Sequence, residues 1–174
     1  ADTTDKGDLL SMMISSRREA GDDMKKARKQ LRDEAMTLFL AGHETTANAL
    51  TWTFYLLSQN PDKYDALCAE LDQVLKDRPA TIDDIAALPY TRQVVAESMR
   101  LYPPAWVIGR TVMHDYEIGG YVIPKGSELW LSQYVVHRDA RWYEKPTHFL
   151  PERWADGEAE KRPKFSFFPF SAGV

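Results

Sequence analysis

The hydrophobic pattern changes character partway along this chain. Between Gln30 and Gln59 the middle is apolar on every side, with Met36, Leu38, Phe39, Leu40, Leu50, Trp52, Phe54, Leu56 and Leu57. That stretch predicts one long helix, about 45 Å at 1.5 Å per residue, suited to crossing a protein's interior. Before it, Gly7 to Ile14 opens a short helix, and the charged run from Arg17 to Lys29 reads as a surface loop or helix end. After it, Asn60-Pro61 supplies a cap and a proline at the first helical position, where its missing N–H is no loss. Leu67, Leu71, Val74 and Leu75 mark one face of the second long helix that follows. Thr81-Ile82-Asp83-Asp84 caps a short helix, and Pro89 to Leu101 forms another, stopped by Pro103-Pro104.

Strands come next. Val107 to Val112 reads as one, and Tyr116-Glu117-Ile118 and Tyr121-Val122-Ile123 flank Gly119-Gly120, a two-residue hairpin signal. Pro124-Lys125-Gly126 turns the chain into a strand from Glu128 to Val136, and from His137 onward it is turn-rich and aromatic. No proline precedes Pro61, whereas seven of the ten follow residue 100, which separates a helical part from a mixed part. The expected fold class is mainly α with a small β portion, as one domain over residues 1–174 without internal repeats.

Composition narrows the function. With 174 residues, 44% of them hydrophobic, the chain suits a globular interior. A net charge of −4 and the lack of a basic stripe give no reason to expect nucleic acid. No stretch approaches the roughly 20 apolar residues of a membrane span, and the polar start Ala1 to Asp5 has no signal-peptide pattern, so a cytoplasmic location is expected. The single cysteine, Cys68, excludes an internal disulfide and a multi-cysteine zinc site, and its apolar helical neighbours suggest an inert packed thiol.

Three short runs carry candidate chemistry. Ala41-Gly42-His43-Glu44-Thr45-Thr46 interrupts the greasy helix with two small residues, an acid and two alcohols. A glycine there costs roughly 1 kcal/mol relative to alanine, and paired threonines bond back to carbonyls and bend helices. The run suits either a close helix crossing or a widened groove beside a bound cofactor, with a carboxylate and a hydroxyl supplying protons. His43-Glu44 would fit a zinc protease helix only with a histidine at position 47, which is Ala47. Glu97 and Arg100 lie three apart on one helix face, a spacing that is ordinarily an exposed ion pair of little worth. Pro151-Glu152-Arg153-Trp154 is by itself an ordinary proline-led turn.

Taken in order, with the closing Phe170-Ser171-Ala172-Gly173-Val174, these runs resemble the cytochrome P-450 family of haem-thiolate monooxygenases over nearly the whole chain, from about Gly7. Phe170, Gly173 and Val174 fit the first half of that family's Phe-x-x-Gly-x-Arg-x-Cys-x-Gly run, whose cysteine binds haem iron and would lie three positions beyond Val174. The resemblance therefore implies an internal fragment that is inactive alone. It also implies a haem cofactor, dioxygen, a hydrophobic small-molecule substrate, and a ferredoxin or flavoprotein reductase as electron donor. Glu44 and Thr45 would deliver protons to dioxygen, with Thr46 at the following alcohol position. Ala41 and Gly42 would form the groove over the iron, and His43 would face away from the haem. Glu97, Arg100 and Arg153 would form a buried scaffold for the cysteine loop. Arg110 would pair with a haem propionate, and Phe170 would pack near the sulfur. Ala105, Trp106, Val107 and Ile108 would line the substrate pocket, with Phe39 and Ala41 facing them. No metal ligand is expected among the residues present; His43, His114, His137 and His148 lie where the family has none. A non-enzymatic, truncated relative serving as a binding or interaction module is the alternative.

Overall fold

The computed structural model describes residues 6–21, 23–155 and 157–171. It groups them into two compact units, Ala1–Thr46 and Ala47–Val174.

In the first unit, α1 spans Leu9–Glu19, and the Asp8 carboxylate caps it by accepting from the Ser11 N–H at 2.7 Å. Arg17 and Arg18 lie in its last turn, where cations complement the helix dipole. Arg17 also pairs with Glu34 at 2.7 Å, and Ala27 and Leu31 are buried. Of the two expectations for Arg17 to Lys29, a surface loop or a helix end, the second holds: Arg17–Glu19 ends α1, and Asp23 starts a new helix, its carboxylate accepting from the Lys25 N–H at 2.9 Å. Lysine, arginine and alanine are good helix formers, so the charge run extends the helix once it is capped.

That helix, α2, runs without interruption over Met24–Gln59, 36 residues or about 54 Å. Its apolar circumference is as expected, but Met36, Leu38, Phe39, Leu40, Leu50 and Phe54 are exposed.

The core of the second unit gathers Leu56 and Leu57 of α2, Val94 and Leu101 of α4 (Pro89–Leu101), and Phe149. Leu67 of α3 (Pro61–Leu75) packs against it, with Tyr90 and Tyr102. Glu70 ties α3 to α4 by accepting the Tyr90 and Thr91 N–H groups, at 2.7 and 2.8 Å, which the first turn of α4 leaves unpaired. Between these helices the expected short helix is a 3₁₀ segment, Ile82–Ala87. Its Asp84 carboxylate takes both Arg78 and Thr81, which holds it well below the usual carboxylate range, Arg78 foremost.

Two small antiparallel sheets follow. β1 (Ile108–Thr111) pairs with β4 (Glu128–Leu131), placing Arg110 opposite Leu129. β2 (Tyr116–Ile118) and β3 (Tyr121–Ile123) form the hairpin, with Gly119 and Gly120 at φ 57° and 81°. Both central residues of such a turn need positive φ, which only glycine adopts freely.

The expected strand Glu128 to Val136 stops at Leu131. Ser132 caps a short helix, α5 (Gln133–Val136), accepting from the Val135 N–H at 3.3 Å and donating to the Trp106 carbonyl at 3.2 Å. A local cap thus outweighs the β preference of Tyr134, Val135 and Val136. Ser132→Ala should lower stability by about 1 kcal/mol, read from urea denaturation; an unchanged midpoint would mean that the cap does not set this boundary.

A stack braces α5: Trp52 lies on Tyr102 at 4.1 Å, and the Arg138 guanidinium lies over Tyr134 at 3.7 Å and Tyr102 at 5.2 Å.

Candidate functional site

The most elaborate polar arrangement in the second unit centres on Glu97, which has no exposed surface. Arg100, one turn later on α4, meets its carboxylate with two parallel bonds, Nε to Oε2 and Nη2 to Oε1, both 2.8 Å. Arg153 adds Nε to Oε1 at 3.1 Å, the Trp154 indole donates to Oε2 at 2.9 Å, and the Leu150 N–H donates to Oε1 at 3.0 Å. Arg100, equally buried, spends its other donors on the carbonyls of His137, Pro146 and His148, at 2.7, 2.7 and 3.1 Å. Arg153 also donates to the Lys145 carbonyl at 2.8 Å. The exposed-pair alternative for Glu97 and Arg100 therefore fails. Planar guanidiniums can bridge one carboxylate and several carbonyls at once, and this cluster pins the loop from His137 to Trp154 to α4.

Aromatic residues close it. The Arg100 guanidinium lies over the Tyr143 ring at 4.9 Å, and the Tyr143 hydroxyl donates to the Ser166 carbonyl at 3.0 Å. Phe167 packs on Trp154 at 4.4 Å and on His137 at 5.0 Å. Sequence reasoning did not bring Trp154, Tyr143 or His137 into the cluster. Trp154 stood in the motif beside Arg153, but nothing in the spacing says that its indole turns toward Glu97.

His137 is fully buried at the end of α5, and its Nε2 accepts the Phe168 N–H at 3.0 Å. Burial first, then the positive charge of Arg100, lowers its pKa to about 4. The unfolded chain, with an ordinary histidine near 6.5, binds the proton more readily than the folded one. Stability is therefore full above pH 6.5 and falls as pH drops from there toward 4, by a few kcal/mol at most. Denaturation midpoints measured across that range should fall for the native chain and fall less for His137→Gln.

In the first unit, Ala41, Glu44 and Thr45 occur at spacings of three and four and so share one stripe of α2. Thr45 donates to the Ala41 carbonyl at 2.5 Å, leaving its lone pairs free to accept. All three are exposed, as are Gly42 and Thr46. Phe39, 61% exposed, stacks on His43 at 5.3 Å. Phe39 and Ala41 lie about 200° apart around the helix, so they do not face one surface as expected, and His43 shares the face of Phe39.

In the second unit, Arg110 is exposed on β1, donating to the Gly109 carbonyl at 2.9 Å and the Ser171 hydroxyl at 3.2 Å. Ala105 and Trp106 are exposed, while Val107 and Ile108 are half-buried; Trp106 is held through its carbonyl by Ser132 and the Tyr134 N–H. Phe170 is 84% exposed, and Gly173 lies outside the described residues. An open apolar groove of about 750 Å³ lies between Trp130, Leu131, Val135, Phe165 and Phe168, and none of the expected pocket residues lines it. Cys68 is half-buried on α3. Among the described residues, no three His, Cys, Asp or Glu side chains converge to hold a metal ion, and no helix is long and apolar enough to cross a membrane.

Known proteins are similar to this chain. The Cytochrome P450 family model matches residues 1–174. Cyclooctatin synthase of Streptomyces melanosporofaciens is 41% identical over 174 residues, which is 99% of this chain and 38% of that protein. Cyclooctat-9-en-7-ol 5-monooxygenase of the same organism is 35% identical, over 97% of this chain and 37% of that protein. A zebrafish cytochrome P450 structure with progesterone superposes with a TM-score of 0.70 at 33% identity, covering 79% of this chain and 31% of that one. The chain thus spans about a third of the length of such relatives. With the family model matched end to end and a mainly helical fold in common, this chain belongs to the cytochrome P450 family.

Proposed function

We propose that the full-length protein containing this chain is a haem-dependent monooxygenase acting on a hydrophobic organic substrate, by hydroxylation or epoxidation. One atom of dioxygen enters the product, and the other leaves as water with two electrons and two protons. The observation that carries this reading is the stripe Ala41, Glu44, Thr45 on an apolar helix, a carboxylate and a hydroxyl one residue apart among exposed apolar residues.

The residues present suit haem. A Cβ built on Gly42 would meet nothing within 4 Å beyond the adjoining backbone of its own helix, so the packing of this chain does not demand glycine there. A helix-interior glycine is costly, and a flat group lying against α2 gives a reason for it. Arg110 offers an exposed guanidinium to a propionate, and Phe170 an exposed ring to the sulfur side. The reading takes the sulfur ligand from a cysteine outside these 174 residues, since Cys68 lies on α3; the chain alone is proposed to be inactive. When bound, haem supplies the activation of dioxygen. The chain's own contribution is proton handling: Glu44 holds a proton at its carboxylate, and Thr45 passes one on through Oγ1 after releasing the Ala41 carbonyl.

Phe39, Ala105, Trp106, Val107 and Ile108 offer apolar surface to the substrate. The molecules named with two of its relatives, progesterone and cyclooctat-9-en-7-ol, are hydrophobic. Electrons come from a ferredoxin or a flavoprotein reductase, and a cytoplasmic location remains part of the proposal. The test supplies the haem-loaded full-length protein with either donor, labelled dioxygen, and a panel of fatty acids, terpenes, steroids and hydrocarbons. One labelled oxygen per product is expected. Oxygen taken from water would overturn the reading, and a folded protein without haem would support a binding module instead.

A further inference from the structure

We propose that His137 is a positioning residue whose neutral imidazole holds the Phe167–Phe170 segment against the Glu97–Arg100 network. Its Nε2 accepts the Phe168 N–H at 3.0 Å, and a ring nitrogen that accepts carries no proton, so the proton sits on Nδ1. The same residue's carbonyl takes Arg100 Nη1 at 2.7 Å. One buried residue therefore joins the network, through its backbone, to the incoming segment, through its ring. Phe167 and Phe168 flank the ring at 5.0 and 5.2 Å.

The segment has few other polar holds. It belongs to no helix or strand, and Pro169 has no N–H to donate. Its Phe168 carbonyl accepts the Ser171 N–H at 3.2 Å, a turn that closes on itself. The groups acting on the imidazole are the guanidiniums of Arg100 from α4 and Arg138 beside it, and the carbonyls of Met99 and Arg100 at the end of α4. Both cations and burial favour the neutral ring; the carbonyls oppose them. The Met99 and Arg100 carbonyls lie near the ring but make no well-aligned bond to Nδ1, and the ring's well-formed bond is the one to the Phe168 N–H.

This anchoring does not depend on the oxygenase reading; its consequence, that His137 sets the approach to the haem-ligand loop, does rest on it. The experiment compares His137→Gln, His137→Asn and His137→Leu in the haem-loaded full-length protein by hydrogen exchange at the Phe168 amide. Glutamine places an acceptor near Nε2, asparagine reaches only as far as Nδ1, and leucine has neither. Relative to the α4 amides as an internal control, Phe168 should exchange about five- to tenfold faster in Asn and Leu and nearly as in the native protein in Gln, the effect of one hydrogen bond. Native-like protection in Asn, or a loss in Gln equal to that in Leu, would overturn the proposal. Should Leu not fold, the Gln and Asn pair still decides. The expected exchange pattern in a protein that inserts no oxygen would sink the oxygenase reading and leave this one standing.

Discussion

Glu97→Ala is expected to lower stability by roughly 3–5 kcal/mol, the cost of removing one member of a buried ion network, and to abolish haem incorporation by the full-length protein. The carboxylate serves two guanidiniums, an indole and a backbone amide. Alanine would remove the acceptor of the five N–H bonds that these four groups direct at Glu97, in a place with no exposed surface. Arg100→Ala should do comparable damage for the opposite reason, stranding Glu97 and the carbonyls of His137, Pro146 and His148. Arg100→Lys should not rescue it, since an ammonium cannot span two carboxylate oxygens and three carbonyls in a plane. Because the loop from His137 to Trp154 hangs on this cluster, its loss should be felt in the segment that follows, toward Phe170. Urea denaturation and the haem-to-protein ratio together check this. Normal haem content in either alanine variant would refute it, and a cost below about 1 kcal/mol would mean the cluster behaves as a surface ion pair.

Thr45→Val and Glu44→Gln should each slow product formation in the full-length protein by about 10²–10⁴-fold, the usual contribution of a positioned proton-transfer group. Within this chain both residues are exposed and the Thr45 hydroxyl bonds only within its own helix, so neither substitution breaks a tie to another element among the described residues. Thr45→Ser, which keeps the hydroxyl, should retain most of the rate. Turnover under saturating electron donor, with haem content and denaturation midpoint measured alongside, separates lost chemistry from lost structure. An undiminished rate in Thr45→Val would remove the hydroxyl from the relay and leave Glu44 to work through water.

Much of the fold was legible before any coordinates. The boundaries of α4 match the expectation residue for residue, because Pro89 is pre-set for a first helical turn and Pro103-Pro104 cannot continue one. The hairpin is where Gly119-Gly120 put it. Expectations failed where a single polar side chain decided: Asp23 starts α2 at Met24 rather than at the expected Gln30, and Ser132 ended a strand that the β-branched residues beyond it favoured.

The candidate site divides the same way. From sequence alone came the order of the motifs, the family they resemble, and the stripe of Ala41, Glu44 and Thr45, because helical periodicity places residues three and four apart together wherever the helix lies. The resemblance implied that Glu97, Arg100 and Arg153 are buried together, but only the tertiary structure decided that Trp154 and the Leu150 amide complete the shell and that His137 reaches Phe168. Those bonds join residues 31 to 57 positions apart, across loops with no periodic pattern. Local preference carries no information about such pairs; they are selected by the requirement that every polar group taken out of water find a partner.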